Sequence, residues 1–299
     1  MKSPPRSIKT SFLSPQRVLI VFSEPLAFGG EKREDSPFAV LGFPFEGTAS
    51  FRGGTSEGPN AIRHASKYIE FLANYVHFNM DYVLYDDLGD VPTSPGMVRE
   101  SLNNLEVALQ GIEKIPIILG GEHTLSYSAV KVLEPDCLLV FDAHLDLRDE
   151  YLGNAWSHAC WLRRLLEERK VKTMVYGARG FADEEVEFAK GRVALGKRIG
   201  DVSRWIKGCK DVYISVDVDV FDPSLTPGVG NPEPLGISFD EFLKAVAEAL
   251  FKVPLKGMDV VEVSPPYDPS GITAVLATKV VVETTAMHYV TWEKRKLTS

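Results

Sequence analysis

Several apolar segments of the sequence end directly in aspartates or histidines, and many of these residues are spaced two apart. Side chains of an extended segment alternate between two faces, so residues two apart project to the same side. Carboxylates are costly to bury unless they are paired or bound to a metal. Their clustering after apolar segments therefore predicts a metal site. The candidate ligands are His123, Asp142, His144, Asp146, Asp217 and Asp219.

Four aspartates and two histidines form an oxygen-rich ligand set with some imidazole and no thiolate. Such a set suits Mn²⁺, with Fe²⁺, Co²⁺ and Zn²⁺ as the less favoured occupants. Six ligands are too many for one tetrahedral zinc ion, which takes about four. We therefore expect two Mn²⁺ ions per subunit that share bridging carboxylates and activate a water molecule between them.

Two further residues, His158 and Glu262, can be interpreted as either structural or functional. Taken alone, His158 is typical of a helix start, and Glu262 is typical of a surface loop. Glu262, however, follows an apolar segment at 257–261 that resembles those before the metal-ligand candidates. Its position at the end of a strand beside these candidates favours a role in the same site.

Apolar segments alternate with amphipathic segments from Phe38 onward, which predicts an α/β fold with a mostly parallel sheet. Ligands bind at the carboxyl ends of the strands in such sheets. Residues 1–36 are predicted to form an irregular arm with one short strand at 18–22, and residues 37–299 a single domain. The predicted strands are 38–42, 116–119, 137–141, 173–176, 212–216 and 257–261. The predicted helices are 59–73, 97–112, 124–132, 158–168, 184–189, 239–250 and 273–288.

The composition narrows the function further. A net charge of −8 argues against nucleic-acid binding and is compatible with a small cationic substrate. No apolar run approaches the roughly 18 residues of a membrane span, and no secretory signal pattern is recognisable, so we expect a cytoplasmic protein that does not bind membranes. Three cysteines without CxxC spacing indicate neither a disulfide framework nor a cysteine zinc site, and a reducing compartment fits.

Four motifs in the sequence resemble, in order, the signatures of the ureohydrolases, which comprise arginase, agmatinase, formimidoylglutamase and guanidinobutyrase. They read GGEH at 120–123, DAHLD at 142–146, SVDVDVFDP at 215–223 followed by PGVGNPEPLG at 227–236, and VEVSPP at 261–266. The resemblance extends over roughly residues 38–287 and is greatest to archaeal-type agmatinases. It implies a three-layer α/β/α fold and assembly into homo-trimers or homo-hexamers.

The resemblance also implies a role for each candidate residue. Glu262 would hold the substrate guanidinium, Asp146 would pass a proton to the leaving amine, and His158 would exchange protons with solvent. The reaction would release urea and an amine. One manganese ion would be bound by His123, Asp142, Asp146 and Asp217, and the other by Asp142, His144, Asp217 and Asp219.

The segment between Asp146 and His158 is expected to select the substrate. It lacks the Asn- and Ser/Thr-rich run with which arginases hold an α-amino acid, and Asp149 and Glu150 would repel a carboxylate. Arg148 would instead attract one. Agmatine, which would give putrescine and urea, is therefore the favoured substrate, and arginine and guanidinobutyrate are the alternatives.

The sequence departs from the usual family pattern in three of its motifs near the site. Glu122 replaces the usual aspartate, Ala159 replaces the usual glycine, and Val229 and Asn231 replace the two threonines of the usual PGTGTP, where Asn231 can still hydrogen-bond near Glu262. Asn231 remains a candidate substrate-binding residue. Two other classes were weighed, a metal deacetylase with one zinc ion and a non-catalytic protein on the same fold. The complete set of six ligand candidates argues against both.

Overall fold

A computed structural model describes residues 26–294, so the strand predicted at 18–22 lies outside the described residues. Eight strands form one sheet in the order β4-β1-β5-β10-β9-β6-β7-β8, and every pairing in it is parallel. Strands β2 and β3 form a small antiparallel pair. The strands are β1 (Phe38–Phe43), β2 (Leu72–Ala73), β3 (Phe78–Asn79), β4 (Asp86–Asp90), β5 (Ile115–Gly120), β6 (Cys137–Phe141), β7 (Lys172–Tyr176), β8 (Val193–Gly196), β9 (Val212–Asp217) and β10 (Leu255–Val261).

Helices cover both faces of this sheet and enclose two hydrophobic cores. Helices α1, α6, α7 and α8 pack on one face, and α2 to α5 pack on the other. This arrangement confirms the three-layer α/β/α fold. No helix within residues 26–294 is long and apolar enough to cross a membrane. The helices are α1 (Gly58–Ser66), α2 (Val98–Gln110), α3 (Leu125–Leu133), α4 (Trp161–Glu168), α5 (Asp183–Ala189), α6 (Ile199–Trp205), α7 (Phe239–Leu250) and α8 (Ile272–His288).

The central strands are continuous apolar runs because both of their faces are covered by helices. All five residues of β6 are buried, for example. Four neighbouring strands, β5, β10, β9 and β6, stand at the middle of the sheet. Each of the four sequence motifs lies at the carboxyl end of one of these strands. Parallel pairing therefore brings segments that are distant in the sequence to one edge of the sheet.

The helix predicted over 59–73 ends at Ser66, so its second half was predicted wrongly. Contacts from α8 determine the structure of this second half. The buried Glu283 carboxylate accepts hydrogen bonds from the backbone amides of Asn74 and Tyr75, and Lys279 donates to the carbonyl oxygen of Leu72. These tertiary contacts stabilise a turn and the short strand β2 in place of two further helical turns.

The described part of the predicted arm is irregular but packs firmly against the domain. Phe28 is fully buried, and its ring contacts the Tyr85 ring edge-on at a centroid distance of 4.9 Å. Its backbone amide donates to the Asp87 carboxylate at 2.7 Å. The hydrophobic core thus extends to at least Phe28, upstream of the predicted boundary.

A disulfide bond joins Cys137 and Cys209, contrary to the expectation from the sparse cysteine pattern. Cys137 begins β6, and Cys209 lies in the loop that leads into β9. Because β6 pairs directly with β9, with Cys137 opposite Val212, the two cysteines lie close together although 72 positions separate them in the sequence. Their Cα atoms are 5.9 Å apart, which is within the usual range for a disulfide.

Candidate active site

A buried histidine and three carboxylates converge at the carboxyl ends of β5, β6 and β9. His123 Nδ1 lies 3.1 Å from Asp142 Oδ2, 3.2 Å from Asp146 Oδ2 and 3.5 Å from Asp217 Oδ2. This nitrogen is buried and has no hydrogen-bond partner among the described residues. A buried nitrogen without a partner that faces three carboxylate oxygens has the geometry expected of a metal ligand.

A second group of the same composition adjoins the first. His144 Nδ1 lies 2.9 Å from Asp219 Oδ2 and 3.5 Å from Asp142 Oδ1. Asp142 therefore faces one histidine with each of its two oxygens. Asp142 thus lies between the two histidines, a position compatible with a carboxylate that bridges two metal ions. We call the six residues the aspartate–histidine cluster: His123, Asp142, His144, Asp146, Asp217 and Asp219.

The pKa values of the cluster show a shortage of positive charge. Burial, together with the neighbouring Asp219 and Asp142 carboxylates, raises the pKa of Asp217 well above its usual range. Burial and the Asp142 charge also raise the pKa of Asp146. Burial acts in the same direction on Asp142, but the neighbouring imidazoles of His123 and His144 outweigh burial and lower its pKa. Divalent cations would supply the missing charge, so the residues present fit a pair of metal ions.

Hydrogen bonds behind the cluster fix the orientation of the His123 ring. Its Nε2 lies 2.8 Å from the Ser215 hydroxyl, which donates to Asp259 Oδ1 at 2.7 Å. Asp259 is fully buried and also accepts hydrogen bonds from the hydroxyls of Ser126 and Tyr213. Because the Ser215 proton is committed to Asp259, His123 Nε2 must donate, and the lone pair of Nδ1 points at the carboxylates.

Glu262 follows β10 and lies beside His123. The backbone amide of His123 donates to Glu262 Oε1 at 2.8 Å, and the Glu262 amide donates to the carbonyl oxygen of Gly121 at 2.9 Å. Burial and the neighbouring Glu122 raise the pKa of Glu262 well above its usual range. A carboxylate in this state gains from pairing with a cation, such as a guanidinium group.

His158 faces the same space from a 3-10 turn that precedes α4. Its Nδ1 lies 3.0 Å from the Thr48 hydroxyl, which donates to Glu122 Oε1 at 3.0 Å. Nδ1 therefore carries the proton, and Nε2 is left as the accepting atom. Burial lowers the pKa of His158, so the ring is neutral near pH 7. Glu122, the residue that departs from the family pattern, thus fixes the tautomer of His158 through Thr48.

Two residues of the site have left-handed backbone conformations that non-glycine residues seldom adopt. Asp146 has φ 52° and Glu262 has φ 67°. Such conformations cost about 1–3 kcal/mol each and persist only where surrounding contacts impose them. For Asp146 such a contact comes from Trp161, whose Nε1 donates to its Oδ2 at 2.8 Å. Backbone strain at both acids is consistent with a functional site.

Comparison with known proteins identifies the family of this chain. A profile of the arginase family matches residues 36–287. The chain belongs to the arginase family. Three relatives of this arginase-family chain cover most of its length.

The N(1)-aminopropylagmatine ureohydrolase of Thermococcus kodakarensis is 35% identical over 254 residues, which cover 81% of this chain and 88% of that protein. The agmatinase of Pyrococcus horikoshii is 37% identical over 245 residues, covering 77% and 85% of the two chains. The crystal structure of agmatine ureohydrolase of Thermoplasma volcanium matches with a TM-score of 0.81 at 31% identity, covering 92% of this chain and 97% of that one.

In this arginase-family chain a cavity of about 300 Å³ opens from the cluster to solvent. Ser50 and Asn231 lie on one wall, where the Asn231 amide donates to the Ser50 hydroxyl at 3.4 Å. Ala159, which replaces the usual glycine, also lines the cavity. Most of the residues selected from the sequence contribute to the lining: His144, Asp146, His158, Asp217, Asp219, Asn231 and Glu262.

Asp149 and Glu150 do not line this cavity, although the sequence suggested them as substrate-binding residues. The Asp149 side chain is 63% exposed and pairs with Arg164 at 2.7 Å. Arg148 does line the cavity, but Glu185 Oε2 lies 3.7 Å from its Nε, and its guanidinium lies over the Tyr151 ring at 4.9 Å. The buried Glu185 and, at 4.0 Å, the exposed Glu184 therefore counter the charge of Arg148, and the sequence singled out neither.

A second residue that the sequence did not single out is Arg179. Its guanidinium donates to backbone carbonyl oxygens on both sides of the site, including those of Asp219 at 2.8 Å and Glu233 at 2.7 Å. It thereby ties the turn that carries Asp219 to the following loop. No motif of side-chain types reveals such a role, because the partners of Arg179 are backbone atoms.

Proposed function

We propose that this protein is a binuclear manganese hydrolase that cleaves agmatine to putrescine and urea. The observation that carries the proposal is His123 Nδ1, which has no hydrogen-bond partner within residues 26–294 and faces three carboxylates, those of Asp142, Asp146 and Asp217. Asp146 and Asp217 line the same cavity as Glu262 and His158. Agmatinase and agmatine ureohydrolase relatives over most of the chain support the choice of chemistry.

Two Mn²⁺ ions fit the donor set better than softer metals, because the donors are carboxylate oxygens and imidazole. When bound, the ions would lower the pKa of a water molecule held between them and so provide the nucleophile at neutral pH. His123, Asp142, Asp146 and Asp217 would hold one ion, and Asp142, His144, Asp217 and Asp219 the other.

The protein's own residues position the substrate and move its protons. Glu262 binds the planar guanidinium through charge-assisted hydrogen bonds and orients its carbon toward the cluster. Asp146, which Trp161 holds in place, takes a proton from the attacking water and delivers it to the leaving amine. His158, neutral and accepting at Nε2, takes the other proton, which the water gives up on becoming the nucleophile, and releases it to solvent.

The charges of the cavity favour agmatine over guanidino acids. Arg148 is the cation best placed to bind a substrate carboxylate, but the buried Glu185 is its ion-pair partner. Arginine and guanidinobutyrate, which carry a carboxylate, are therefore the second candidates. Assembly into homo-trimers or homo-hexamers and a cytoplasmic location stay predictions.

The decisive experiment measures urea release after the protein has been stripped with a chelator and reloaded with Mn²⁺. Agmatine, arginine, guanidinobutyrate and formimidoylglutamate are compared in parallel, and bound metal is counted by elemental analysis. We expect agmatine to be hydrolysed fastest and two manganese ions per chain to be bound. Faster hydrolysis of arginine would contradict the substrate assignment, and one zinc ion per chain would contradict the metal assignment.

A further inference from the structure

Glu233 presents to the active-site cavity a carboxylate that accepts no hydrogen bond from any residue of the described chain. It lines the cavity together with Glu185 and Arg148, and its side chain is 40% exposed. Among residues 26–294 its carboxylate forms no hydrogen bond, and the only group of opposite polarity within ion-pair range is His144 Nε2, 3.8 Å from Oε1. This distance is too long for a hydrogen bond. Glu233 is therefore available to a ligand.

The backbone beneath Glu233 is held in place. Arg179 Nη2 donates to the Glu233 carbonyl oxygen at 2.7 Å, and Arg179 Nε donates to the Pro234 carbonyl oxygen at 2.9 Å. The same Nη2 donates to the carbonyl oxygen of Asp219 at 2.8 Å. The backbone of Glu233 is thus fixed relative to the aspartate–histidine cluster. A group fixed before the ligand arrives loses less entropy on binding.

Gly180 leaves the space that the Glu233 side chain occupies. A Cβ atom at this position would lie 3.0 Å from Glu233 Oε1 and 3.2 Å from His144 Cδ2. A side chain at Gly180 would therefore make close contacts with the Glu233 carboxylate and require it to shift. The absence of a side chain at Gly180 therefore allows Glu233 to lie against the cavity beside His144.

Glu185 and Glu233, which both line the cavity, differ in the number of hydrogen bonds that their carboxylates accept. Glu185 accepts hydrogen bonds from the backbone amides of Leu147 and Ala182 and lies against Arg148. Glu233 makes no such hydrogen bonds within residues 26–294, and its nearest group of opposite polarity is His144 Nε2 at 3.8 Å. Arg148 already has Glu185 and Glu184 within ion-pair range, whereas no cation is hydrogen-bonded to Glu233 in the described part of the chain.

We propose that Glu233 binds the ammonium group at the end of the substrate remote from the guanidinium. The inference rests on the proposed guanidino hydrolase function and names the residue that selects the substrate class. A guanidinoalkylamine places a cation within reach of Glu233, whereas a guanidino acid would place a carboxylate there and be repelled. The Glu233 carboxylate would then attract a cationic tail and repel an anionic one, and both effects would favour the guanidinoalkylamine over the guanidino acid.

The test compares three guanidines of similar length whose tails differ in charge: agmatine (cationic), butylguanidine (neutral) and guanidinobutyrate (anionic). The variant Glu233→Gln keeps the shape of the side chain and removes its charge. For this variant we expect kcat/KM to fall about tenfold or more for agmatine, to change little for butylguanidine and to rise for guanidinobutyrate. The variant Glu233→Asp, which retains the charge, should still prefer agmatine to butylguanidine.

The matched control is Glu187→Gln, which removes a negative charge from the exposed face of α5, where Glu187 pairs with Lys190. It should leave the ratio of agmatine to butylguanidine hydrolysis unaltered. An equal loss for agmatine and butylguanidine in Glu233→Gln, or loss of bound manganese, would overturn the inference and assign Glu233 to the support of His144. If the wild-type protein released urea from none of the three guanidines, the proposed function itself would fail, an outcome distinct from failure of the subsite.

Discussion

His123 Nε2 donates a hydrogen bond to the Ser215 hydroxyl across 2.8 Å, and this contact directs the opposite ring nitrogen into the aspartate–histidine cluster. We expect Ser215→Ala to weaken manganese binding about 10- to 100-fold, because the His123 ring loses the partner that fixes its tautomer. Calorimetric titration of the stripped protein with Mn²⁺ measures the change. Ser224→Ala, in an exposed turn, is the control, and unchanged affinity in Ser215→Ala would contradict the role.

Asp142 and Asp217 are the two proposed bridging ligands. We expect Asp142→Ala and Asp217→Ala each to remove most of the bound metal and most of the urea release, because one substitution then removes a ligand from both ions. Elemental analysis of dialysed protein and a urea assay measure these effects. Turnover near the wild-type rate in either variant would show that the carboxylate does not bridge.

His158 is proposed to exchange protons and not to bind metal. His158→Ala should lower kcat about 10²- to 10⁴-fold while the metal content stays near that of the wild type. Burial lowers the pKa of His158, so its ring stays neutral to a pH below the usual histidine value of about 6.5. As the pH is lowered, the wild-type rate should therefore begin to decline only below about pH 6.5. A pH–rate profile tests this expectation, and loss of metal from the variant would refute the assignment.

Chelation should destabilise the protein more at higher pH. In the metal-free state burial raises the pKa of Asp217 and Glu262, and its carboxylate partners raise that of His123 despite burial. Groups whose pKa is raised on folding bind more protons in the folded state, so metal-free stability falls as pH rises toward these folded pKa values. The lowered pKa of Asp142 does not contribute to this pH dependence of stability. At a pH above the usual aspartate pKa, Asp142 is ionised in both the folded and the unfolded protein.

Groups that bind a metal ion are already deprotonated, so the stability of the metal-bound protein does not fall with rising pH in this way. The gain in Tm on adding Mn²⁺ should therefore increase from about pH 6 to about pH 8. Differential scanning calorimetry at matched ionic strength measures it. A gain in Tm that stays constant or shrinks over this interval would argue against metal at the cluster.

The Cys137–Cys209 disulfide should contribute to stability and not to catalysis. It joins positions 72 apart near the amino-terminal ends of β6 and β9, whereas the active site lies at the carboxyl ends of these strands. Closure of a loop of this size stabilises a fold by about 2–4 kcal/mol. We expect Cys209→Ser to lower Tm while kcat for the best substrate stays the same. A reducing agent should have no effect on the Tm of this variant. A wild-type Tm that does not respond to complete reduction would contradict the contribution.

The elements predicted best from the sequence were those in which one signal dominates. The buried run of β6 and the amphipathic α7, with Ser238 as its N-cap, have the predicted bounds. Strand β4 was missed because three of its five residues are aspartates. It is stable because the buried Arg63 pairs with Asp87 and Asp90, a contact between segments that no local pattern reveals. Strand β8 was missed because it is a short, half-buried edge strand.

The sequence predicts those residues of the candidate site that come at or shortly after the carboxyl end of a strand. The six members of the aspartate–histidine cluster do so, and the structure places them together. Residues that act through the backbone or through an intermediate could not be found in this way. Asp259 lies within an apolar strand and reaches His123 only through Ser215, and Arg179 binds carbonyl oxygens. Their functions depend on distances across the sheet, which the sequence does not contain.

The left-handed conformations of Asp146 and Glu262 limit how stable this scaffold can become while it keeps its chemistry. Glycine at either position would relieve the backbone and favour the folded state, but it would delete the acid. Directed evolution for heat tolerance alone would therefore be drawn toward inactive proteins at these two positions. Screens that select for thermal resistance should retain an activity criterion and seek their gains elsewhere in the chain.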